Sequence, residues 1–222
     1  PPSFKDTIEA TLDNAYVGTG YGMTESNAIC ASCTGEAYFY KSSSAGTLSP
    51  LVEWQTRDEN GQVLAKNETG EIWLKSICNI QHYWNKPDAD KATFDGKWMA
   101  TGDIGYLDEE NFVYLVDRAK DLIIRGGENI YPAEIEACLS LHPSIAEAVI
   151  IAVPDERLGE TPGAVIRVRA NSEINATEIN AYLSDKLAAY KIPNQVWIRT
   201  DEMPRNAAGK VLKSELKRQY IR

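Results

Sequence analysis

Hydrophobic positions follow different spacings along the chain, and each spacing predicts a type of element. Residues 3–13 carry apolar side chains one helical turn apart, which predicts a helix. A short buried strand is predicted from Ala15 to Val17, and it is followed by a loop with the sequence GTGYGMTES. From about residue 46 to residue 116, short apolar runs such as LVEWQ, GEIWLKS and FVYLV are separated by the turn signals DENG, NETG and DEEN. This second pattern predicts β-hairpins or a small barrel.

After residue 117 predicted strands and helices alternate. The predicted strands cover 121–125, 148–153, 164–169 and 196–199. In the strand at 164–169 the residue types alternate, so one of its faces should be exposed to water. Pro132 suits the first position of a helix, and Asn175 with Glu178 forms a capping box at the start of another. A basic helix, KVLKSELKRQY, ends the pattern. The alternation predicts a compact α+β domain of about 100 residues.

Charge supports a division at the same point. Residues 1–117 carry 8 basic and 18 acidic side chains, a net charge of -10, whereas residues 118–222 carry 15 and 14, a net charge of +1. We therefore predict an α/β (α+β) chain in two parts. Residues 1–117 form the end of a large domain with the hairpin or barrel subdomain, and after a hinge, residues 118–222 form a small mobile domain. The acidic first part argues against nucleic acid as a partner, since phosphate binding needs excess Lys and Arg.

Composition narrows the class of protein further. The 222 residues are 43% hydrophobic and 25% charged, which is typical of globular proteins. No apolar run reaches about 18 residues, and no signal peptide is recognisable, so neither a membrane span nor secretion is predicted. Cys30 and Cys33 form a lone CxxC, a weak zinc signal. We interpret the four cysteines as reduced thiols of a cytoplasmic protein.

Two segments of the first part carry side chains suited to a nucleotide. In GTGYGMTES, glycine permits close approach, Tyr21 offers a flat face for a base, Thr24 a hydroxyl for a phosphate and Glu25 a hard oxygen for Mg²⁺. In MATGDIGYLDEE, a tight turn is expected to present Asp103, whose carboxylate can accept both hydroxyls of a ribose. The alternatives are an ordinary Gly-rich turn and an Asx turn.

Two further segments carry candidate residues in the second part. Arg118 and Lys120 lie two apart in a stretch predicted to be extended, so they should face the same side. Gly126-Gly127 removes side chains where a slender ligand could pass, although a plain hairpin is the alternative. In MPRNAAGKVLK, Lys210 is expected to project from a turn at a helix start, where it could neutralise phosphate charge or be merely solvated.

Taken in order, these motifs resemble one family over essentially the whole chain. YGMTE, TGD, DRAKDLIIRGGENIYPAEIE and PRNAAGK are similar to motifs of the adenylate-forming superfamily of acyl- and aryl-CoA synthetases, luciferases and peptide-synthetase adenylation domains. The form GGENIYPAEIE looks more like the acyl-CoA ligases of that family.

For the nucleotide, the resemblance implies four contacts from the first motif. Tyr21 would stack on adenine, and Gly22 would allow close approach. Thr24 would bind the α-phosphate, and Glu25 would bind Mg²⁺. Thr24 and Glu25, with Lys210, are therefore the implied catalytic residues.

The other motifs imply roles in binding and in domain motion. Asp103, helped by Arg118, would hold the ribose hydroxyls, and Lys120 would be the hinge about which the small domain swings. In one orientation of the small domain, Gly126-Gly127 would line the pantetheine channel. In the other orientation, Lys210 would contact the carboxylate and the α-phosphate.

The activity implied by the resemblance is that of an ATP-dependent acid–thiol ligase of fatty acid metabolism. It would use ATP, Mg²⁺ and coenzyme A, with a small-molecule carboxylic acid as substrate. The family's phosphate loop and most of its acyl pocket are not found in this sequence, and SSSAGT at 42–47 lacks the Gly-Lys-Ser/Thr ending. The chain alone is therefore expected to be an inactive fragment. Transfer to a carrier-protein phosphopantetheine, or a non-catalytic fragment, remain the alternatives, and the oligomeric state stays open.

Overall fold

The computed structural model describes Thr11 and residues 17–221. The predicted helix at 3–13 and most of the predicted strand at 15–17 lie outside the described residues. The chain divides between Ala119 and Lys120 into two compact units, which we describe separately.

The described part of the first unit is mostly β-sheet. Its strands are β1 (Gly18–Met23), β2 (Ala28–Thr34), β3 (Thr47–Leu48), β4 (Val52–Arg57), β5 (Gly70–Ser76), β6 (Phe94–Asp95), β7 (Trp98–Leu107) and β8 (Val113–Arg118). Its helices are α1 (Glu36–Tyr40) and α2 (Pro87–Thr93), with a 3-10 helix at Thr24–Ser26.

The second unit mixes strands and helices, as its sequence pattern predicted. Its strands are β9 (Ile123–Arg125), β10 (Glu128–Ile130), β11 (Ile145–Asp155), β12 (Gly159–Val168) and β13 (Gln195–Arg199). Its helices are α3 (Pro132–Ser140), α4 (Ala176–Ser184) and α5 (Lys213–Tyr220), with 3-10 helices at Ala189–Lys191 and, at the junction of the units, Ala119–Asp121.

The segment GTGYGM is a strand, so the prediction of a loop there was wrong. β1 pairs with β2, and β2 with β3, in a three-stranded antiparallel sheet. The glycines of β1 permit close strand pairing. A Cβ built on Gly18 would lie 2.7 Å from Cγ2 of Thr34 and 2.9 Å from the carbonyl oxygen of Cys33. Gly18 therefore serves the approach of a neighbouring strand, which the sequence pattern could not distinguish from the approach of a ligand.

The apolar runs between residues 46 and 116 form hairpins, the first of the two predicted alternatives. Strands β4, β5, β7 and β6 lie in that order in an antiparallel sheet, and β8 also pairs with β7. Ile72, Leu74 and Val113 are fully buried and pack with Tyr21 and Cys30. One core therefore joins this sheet to the strand that carries the YGMTE motif.

A wide bulge in β7 replaces the tight turn that was predicted for TGD. Glu71 pairs with Ile104 and Trp73 with Ala100, so three residues of β7, 101–103, face the single residue Ile72 of β5. Gly102 has a φ of 70°, a value that favours glycine. Such bulges redirect side chains at functional sites, and this one redirects residues 101–103 without ending the strand.

The second unit is built on a five-stranded sheet that is covered on both faces. Strands β10, β9, β12 and β11 are antiparallel neighbours, and β13 runs parallel to β12. Ile150 and Ile166 belong to a cluster with the buried residues of α3 and α4, whereas Ile151 and Val165 pack with Leu216 of α5. The prediction of a wet face for 164–169 was therefore wrong for its first half, because α5 covers the face that was expected to meet water.

The helix starts of the second unit follow the sequence signals. Pro132 is the first residue of α3, and the backbone N–H of Glu178 donates to Oδ1 of Asn175 at 3.0 Å. The N–H of Asn175 donates in return to Oε2 of Glu178 at 2.9 Å, which completes the predicted capping box of α4.

Candidate functional site

A cavity of about 530 Å³ in the first unit brings the YGMTE and TGD motifs together. Its lining includes Thr24 and Glu25 from the turn after β1, Thr101 and Gly102 from the β7 bulge, and Arg118 from the end of β8. Gly22 also lines it, with Glu71 and Tyr83. Of these residues, the sequence predicted Gly22, Thr24, Glu25 and Arg118 as site residues, and the pairing of β7 with β5 and β8 brings the TGD motif and Arg118 together.

The turn between β1 and β2 presents Thr24 and Glu25 to this cavity. Residues 24–26 form one 3-10 turn that ends at Asn27, whose left-handed φ of 58° suits Asn. The hydroxyl of Ser26 donates to the carbonyl oxygen of Met23 at 2.9 Å, which ties the turn to β1. Thr24 is exposed and Glu25 is half-buried, so both side chains are accessible to a ligand.

Asp103 lies at the centre of a three-residue polar arrangement beside the cavity. Its carboxylate is largely buried, with Oδ2 accepting the Tyr21 hydroxyl proton at 2.8 Å and Oδ1 2.7 Å from Nε of Arg118. The backbone N–H of Asp103 donates to Oγ1 of Thr101, whose hydroxyl donates to the carbonyl oxygen of Ile72 at 2.9 Å. The carboxylate is therefore fixed in place, and each oxygen keeps one lone pair for a further donor.

The side chain of Tyr21 is buried in the first unit. Its ring packs edge-on against the ring of Trp54, with 6.4 Å between the ring centroids. Burial, together with the neighbouring charge of Asp103, raises the pKa of the Tyr21 hydroxyl, so it stays protonated and donates to Asp103. Tyr21, Gly22, Asp103 and Arg118 line a second depression of about 330 Å³, where stacking on adenine stays a prediction.

The residues around the cavity fit a magnesium ion that is held partly by a bound nucleotide. Glu25 contributes a carboxylate and Thr24 a hydroxyl, both hard oxygen donors of the kind that Mg²⁺ prefers. Within Thr11 and residues 17–221, no cluster of three or more His, Cys, Asp or Glu could hold an ion by itself. Mg²⁺ is usually bound by one or two carboxylates together with waters and substrate phosphates, and Glu25 can supply one such carboxylate.

The two cysteines of the CxxC motif are buried in β2. The strand is irregular at Cys30, because Tyr21 of β1 pairs with Ala31 and Gly22 pairs with Ile29. Burial raises the pKa of both thiols, so both stay protonated at neutral pH.

At the junction of the units, the extended stretch predicted for Arg118 and Lys120 was wrong. β8 ends at Arg118, and residues 119–121 form a 3-10 helix, so the two side chains do not share the face of a strand. Arg118 contributes to the cavity of the first unit, and Lys120 is exposed as the first residue of the second. The role of Lys120 as a hinge stays a prediction.

Gly126-Gly127 forms the two-residue turn of a hairpin. Arg125 pairs with Glu128, and the two glycines have φ values of 60° and 91°. A turn with both φ values positive is the preferred two-residue connection between antiparallel strands and favours glycine. A Cβ on Gly127 would meet no atom within 4 Å, so the turn has open space beside it. The segment therefore forms the hairpin that the sequence analysis gave as the alternative, and its role in a pantetheine channel stays a prediction.

Lys210 lies in a rigid loop rather than at a helix start, so that part of the prediction was wrong. Oδ1 of Asn206 accepts the backbone N–H groups of Ala208 and Lys210 at 3.1 and 2.9 Å. Arg205 donates to the carbonyl oxygen of Gly209 and forms an ion pair with Glu147 of β11. α5 begins three residues later, at Lys213. The loop holds Lys210 at the surface, with no salt-bridge partner among the described side chains.

Sequence reasoning missed Tyr83, which lines the cavity and contacts Glu25. Its hydroxyl donates to Oε1 of Glu25 at 3.1 Å. Burial, followed by the charge of Glu25, raises the pKa of Tyr83, so the hydroxyl keeps its proton. The two residues lie 58 positions apart, and no motif in QHYWNKPDAD pointed to the contact.

Two family models match the chain. Residues 1–84 match the model described as AMP-binding enzyme, and residues 134–210 match the one described as AMP-binding enzyme C-terminal domain. Among the residues that the structure describes, none of the helices has both the length and the apolar character to span a membrane.

Curated relatives and solved structures agree with these matches. The chain is 42% identical over 219 residues to a 2-succinylbenzoate–CoA ligase of Geobacillus kaustophilus, covering 98% of this chain and 44% of that protein. It is 39% identical over 207 residues to a long-chain-fatty-acid–CoA ligase of Mycobacterium tuberculosis, covering 93% and 41%. The o-succinylbenzoate-CoA synthetase of Bacillus subtilis superposes with a TM-score of 0.88 in complex with the acyl-adenylate OSB-AMP and 0.87 with ATP and magnesium. Each superposition has 37% identity and covers 98% of this chain and 44% of the other, so this chain spans about two fifths of the relatives it matches.

Proposed function

Since this chain belongs to the AMP-binding enzymes of the adenylate-forming superfamily, we propose that it is the part of an acid–CoA ligase that binds AMP and carries the catalytic lysine. The complete protein would activate a carboxylic acid with ATP and transfer the acyl group to coenzyme A. The observation that carries the proposal is the cavity where Thr24, Glu25 and Arg118 meet beside the buried carboxylate of Asp103.

The ribose is assigned to Asp103. Its carboxylate is already oriented by Tyr21 and Arg118, so little freedom is lost when two hydroxyls donate to the remaining lone pairs. Arg118 is about half exposed, which leaves its guanidinium free to offer further N–H donors to the nucleotide.

The phosphates are assigned to the turn after β1. The hydroxyl of Thr24 can donate to an α-phosphate oxygen, and the carboxylate of Glu25 can hold a magnesium ion beside it. A bound magnesium ion would neutralise phosphate charge there. In the second unit, the surface ammonium of Lys210 is assigned as a second point charge, which would offset the negative charge of the bound carboxylate and the charge that develops on the α-phosphate oxygens.

The proposed reaction has two half-reactions. In the first, a carboxylate oxygen attacks the α-phosphorus of ATP. The bond between the α-phosphorus and the oxygen that bridges to the β-phosphate breaks, and acyl-AMP and pyrophosphate form. In the second, the thiol of coenzyme A loses its proton and attacks the acyl carbon, and AMP leaves with the bonding electrons. Lys210 is assigned to the first half-reaction, and the open turn at Gly126-Gly127 to the passage of the pantetheine arm in the second.

The acid itself is left open by the relatives. One is named for long-chain fatty acids and the others for 2-succinylbenzoate, so the class of acid differs between proteins of similar identity. A cytoplasmic location fits the four free cysteines of the described residues.

The test is acid-dependent pyrophosphate release by the full-length protein. A panel of fatty and aromatic acids is supplied with ATP and Mg²⁺, first without a thiol and then with either coenzyme A or a phosphopantetheine carrier protein. We expect release with at least one acid, followed by thioester formation on coenzyme A. ATP binding without release for any acid would contradict the proposal, and thioester formation on the carrier alone would reassign the acceptor.

A further inference from the structure

We propose that Tyr83 is a positioning residue that holds the carboxylate of Glu25 in the orientation required for magnesium. The proposal rests on the assignment of Glu25 to the metal in the proposed function. Tyr83 would not touch the nucleotide, and it would act through Glu25.

Tyr83 is held at two points besides its contact with Glu25. Its backbone N–H donates to Oδ1 of Asp90 in α2 at 2.7 Å. Its ring packs against Phe94 with a centroid distance of 6.2 Å and an angle of 47° between the planes. A tyrosine fixed in this way loses little rotamer freedom when its hydroxyl bonds to a partner.

The segment that carries Tyr83 contacts Glu25 through both its backbone and its side chain. The N–H of Ile80 donates to the backbone carbonyl of Glu25 at 2.8 Å, and the Tyr83 hydroxyl donates to Oε1 at 3.1 Å. Together these two hydrogen bonds restrain the backbone and the carboxylate of Glu25, whose side chain has three rotatable bonds between them. The loop between β5 and α2 therefore controls where the Glu25 carboxylate lies.

The two oxygens of the Glu25 carboxylate have different surroundings. Oε1 accepts the hydrogen bond of the Tyr83 hydroxyl, whereas among the described residues Oε2 has no hydrogen-bond partner and is available to a metal ion. A carboxylate that is oriented by a neighbouring donor binds a metal more tightly than one that must be ordered on binding. The backbone contact with Ile80 would survive loss of the hydroxyl, so the side-chain effect can be isolated.

The test compares Tyr83→Phe with Tyr182→Phe in the full-length protein. Phe keeps the ring contact with Phe94 and removes only the hydroxyl. In the control, Tyr182 also loses one hydroxyl bond, which it donates to the carbonyl of Cys138 at 3.4 Å in the second unit. Calorimetry measures the affinity for a non-hydrolysable ATP analogue with and without Mg²⁺, and Mn²⁺ binding in the presence of the analogue is followed by electron paramagnetic resonance.

For Tyr83→Phe we expect the metal affinity to fall about tenfold, the scale for removing an outer partner of a metal ligand. The affinity for the analogue without metal should be unchanged, and Tyr182→Phe should behave as the wild type in both measurements. Equal metal affinity in Tyr83→Phe and wild type would overturn the proposal. Equal losses with and without metal would also overturn it, because a general packing role predicts them.

Glu25→Gln separates this inference from the proposed function. If Glu25→Gln weakens metal binding and Tyr83→Phe does not, only the role of Tyr83 fails. If Glu25→Gln leaves metal binding unchanged, the metal assignment in the proposed function fails, and the role of Tyr83 fails with it.

Discussion

Replacing Asp103 with Asn tests whether the buried carboxylate serves the nucleotide or only the fold. The side chain of Asp103 is 11% exposed, and its two oxygens contact the Tyr21 hydroxyl and Nε of Arg118. Asn has nearly the same shape and keeps one oxygen that can accept the Tyr21 hydroxyl. The substitution removes the negative charge while leaving the packing of the β7 bulge in place.

The expected cost to stability is small. The side chain of Arg118 is 48% exposed, so its ion pair with Asp103 is screened and worth about 0–1 kcal/mol. Because Tyr21 keeps an acceptor, the free energy of unfolding should fall by roughly 1 kcal/mol. Nucleotide binding should suffer more. A hydrogen bond to a charged group contributes about 1.5–3 kcal/mol, so the loss of even one ribose contact should weaken ATP binding tenfold or more.

The assay is ATP binding by calorimetry in the full-length protein, together with denaturant unfolding. Asp108→Asn is a matched control, because the side chain of Asp108 is 14% exposed and forms an ion pair with Lys41. The control should lose a similar amount of stability and bind ATP as the wild type does. The reasoning is refuted if Asp103→Asn binds ATP with unchanged affinity, or if the control weakens binding equally.

Four further predictions concern the second unit. Lys210→Ala should slow acyl-AMP formation about 10²–10³-fold, the scale for removing one preorganised charge, and spare thioester formation from supplied acyl-AMP. Gly127→Asn should slow thioester formation and spare acyl-AMP formation, and Asn is chosen because it tolerates a positive φ better than other side chains. Equal slowing of both half-reactions in either variant would contradict these assignments. Asn175→Ala should lower the free energy of unfolding by about 1 kcal/mol in denaturant titrations, and Asn175→Ser should restore most of it. Backbone N–H donors lower the pKa of Asp155 below its ordinary value of 3.8, so Asp155→Asn should lower the thermal midpoint at pH 7, and the difference should shrink as the pH falls below 3.8 and through the lowered pKa.

Local sequence signals correctly predicted elements whose causes lie within a few residues. The capping box of Asn175 and Glu178, the start of α3 at Pro132 and the hairpin turns between residues 46 and 116 all formed as predicted. Each depends on backbone groups that neighbouring side chains satisfy, so the remainder of the fold has little influence on them. The motifs in their fixed order were equally sufficient for the family, because they are read from the chain alone.

The errors in the predictions share a different cause. GTGYGM was expected to be a loop because glycine favours turns, but β2 offers a partner that makes it a strand. TGD was expected to form a tight turn, but β5 and β8 pair with β7 on both sides of the bulge, so the segment stays within the strand. The predicted strand at 164–169 was expected to have one wet face, but α5 covers the first half of that face. In each case a distant segment decided the outcome, and tertiary packing overrides local preference where it supplies backbone partners or buries apolar surface.

By itself, the sequence determined which candidate residues occur along the chain and in what order: Thr24, Glu25, Asp103 and Arg118 in the first unit and Lys210 in the second. Only the tertiary structure decided that Asp103 is held by Tyr21 and Arg118, and that Tyr83 reaches Glu25. The physical reason is distance along the chain. These contacts join residues up to 82 positions apart, and their geometry is set by strand pairing and burial, which no local pattern encodes.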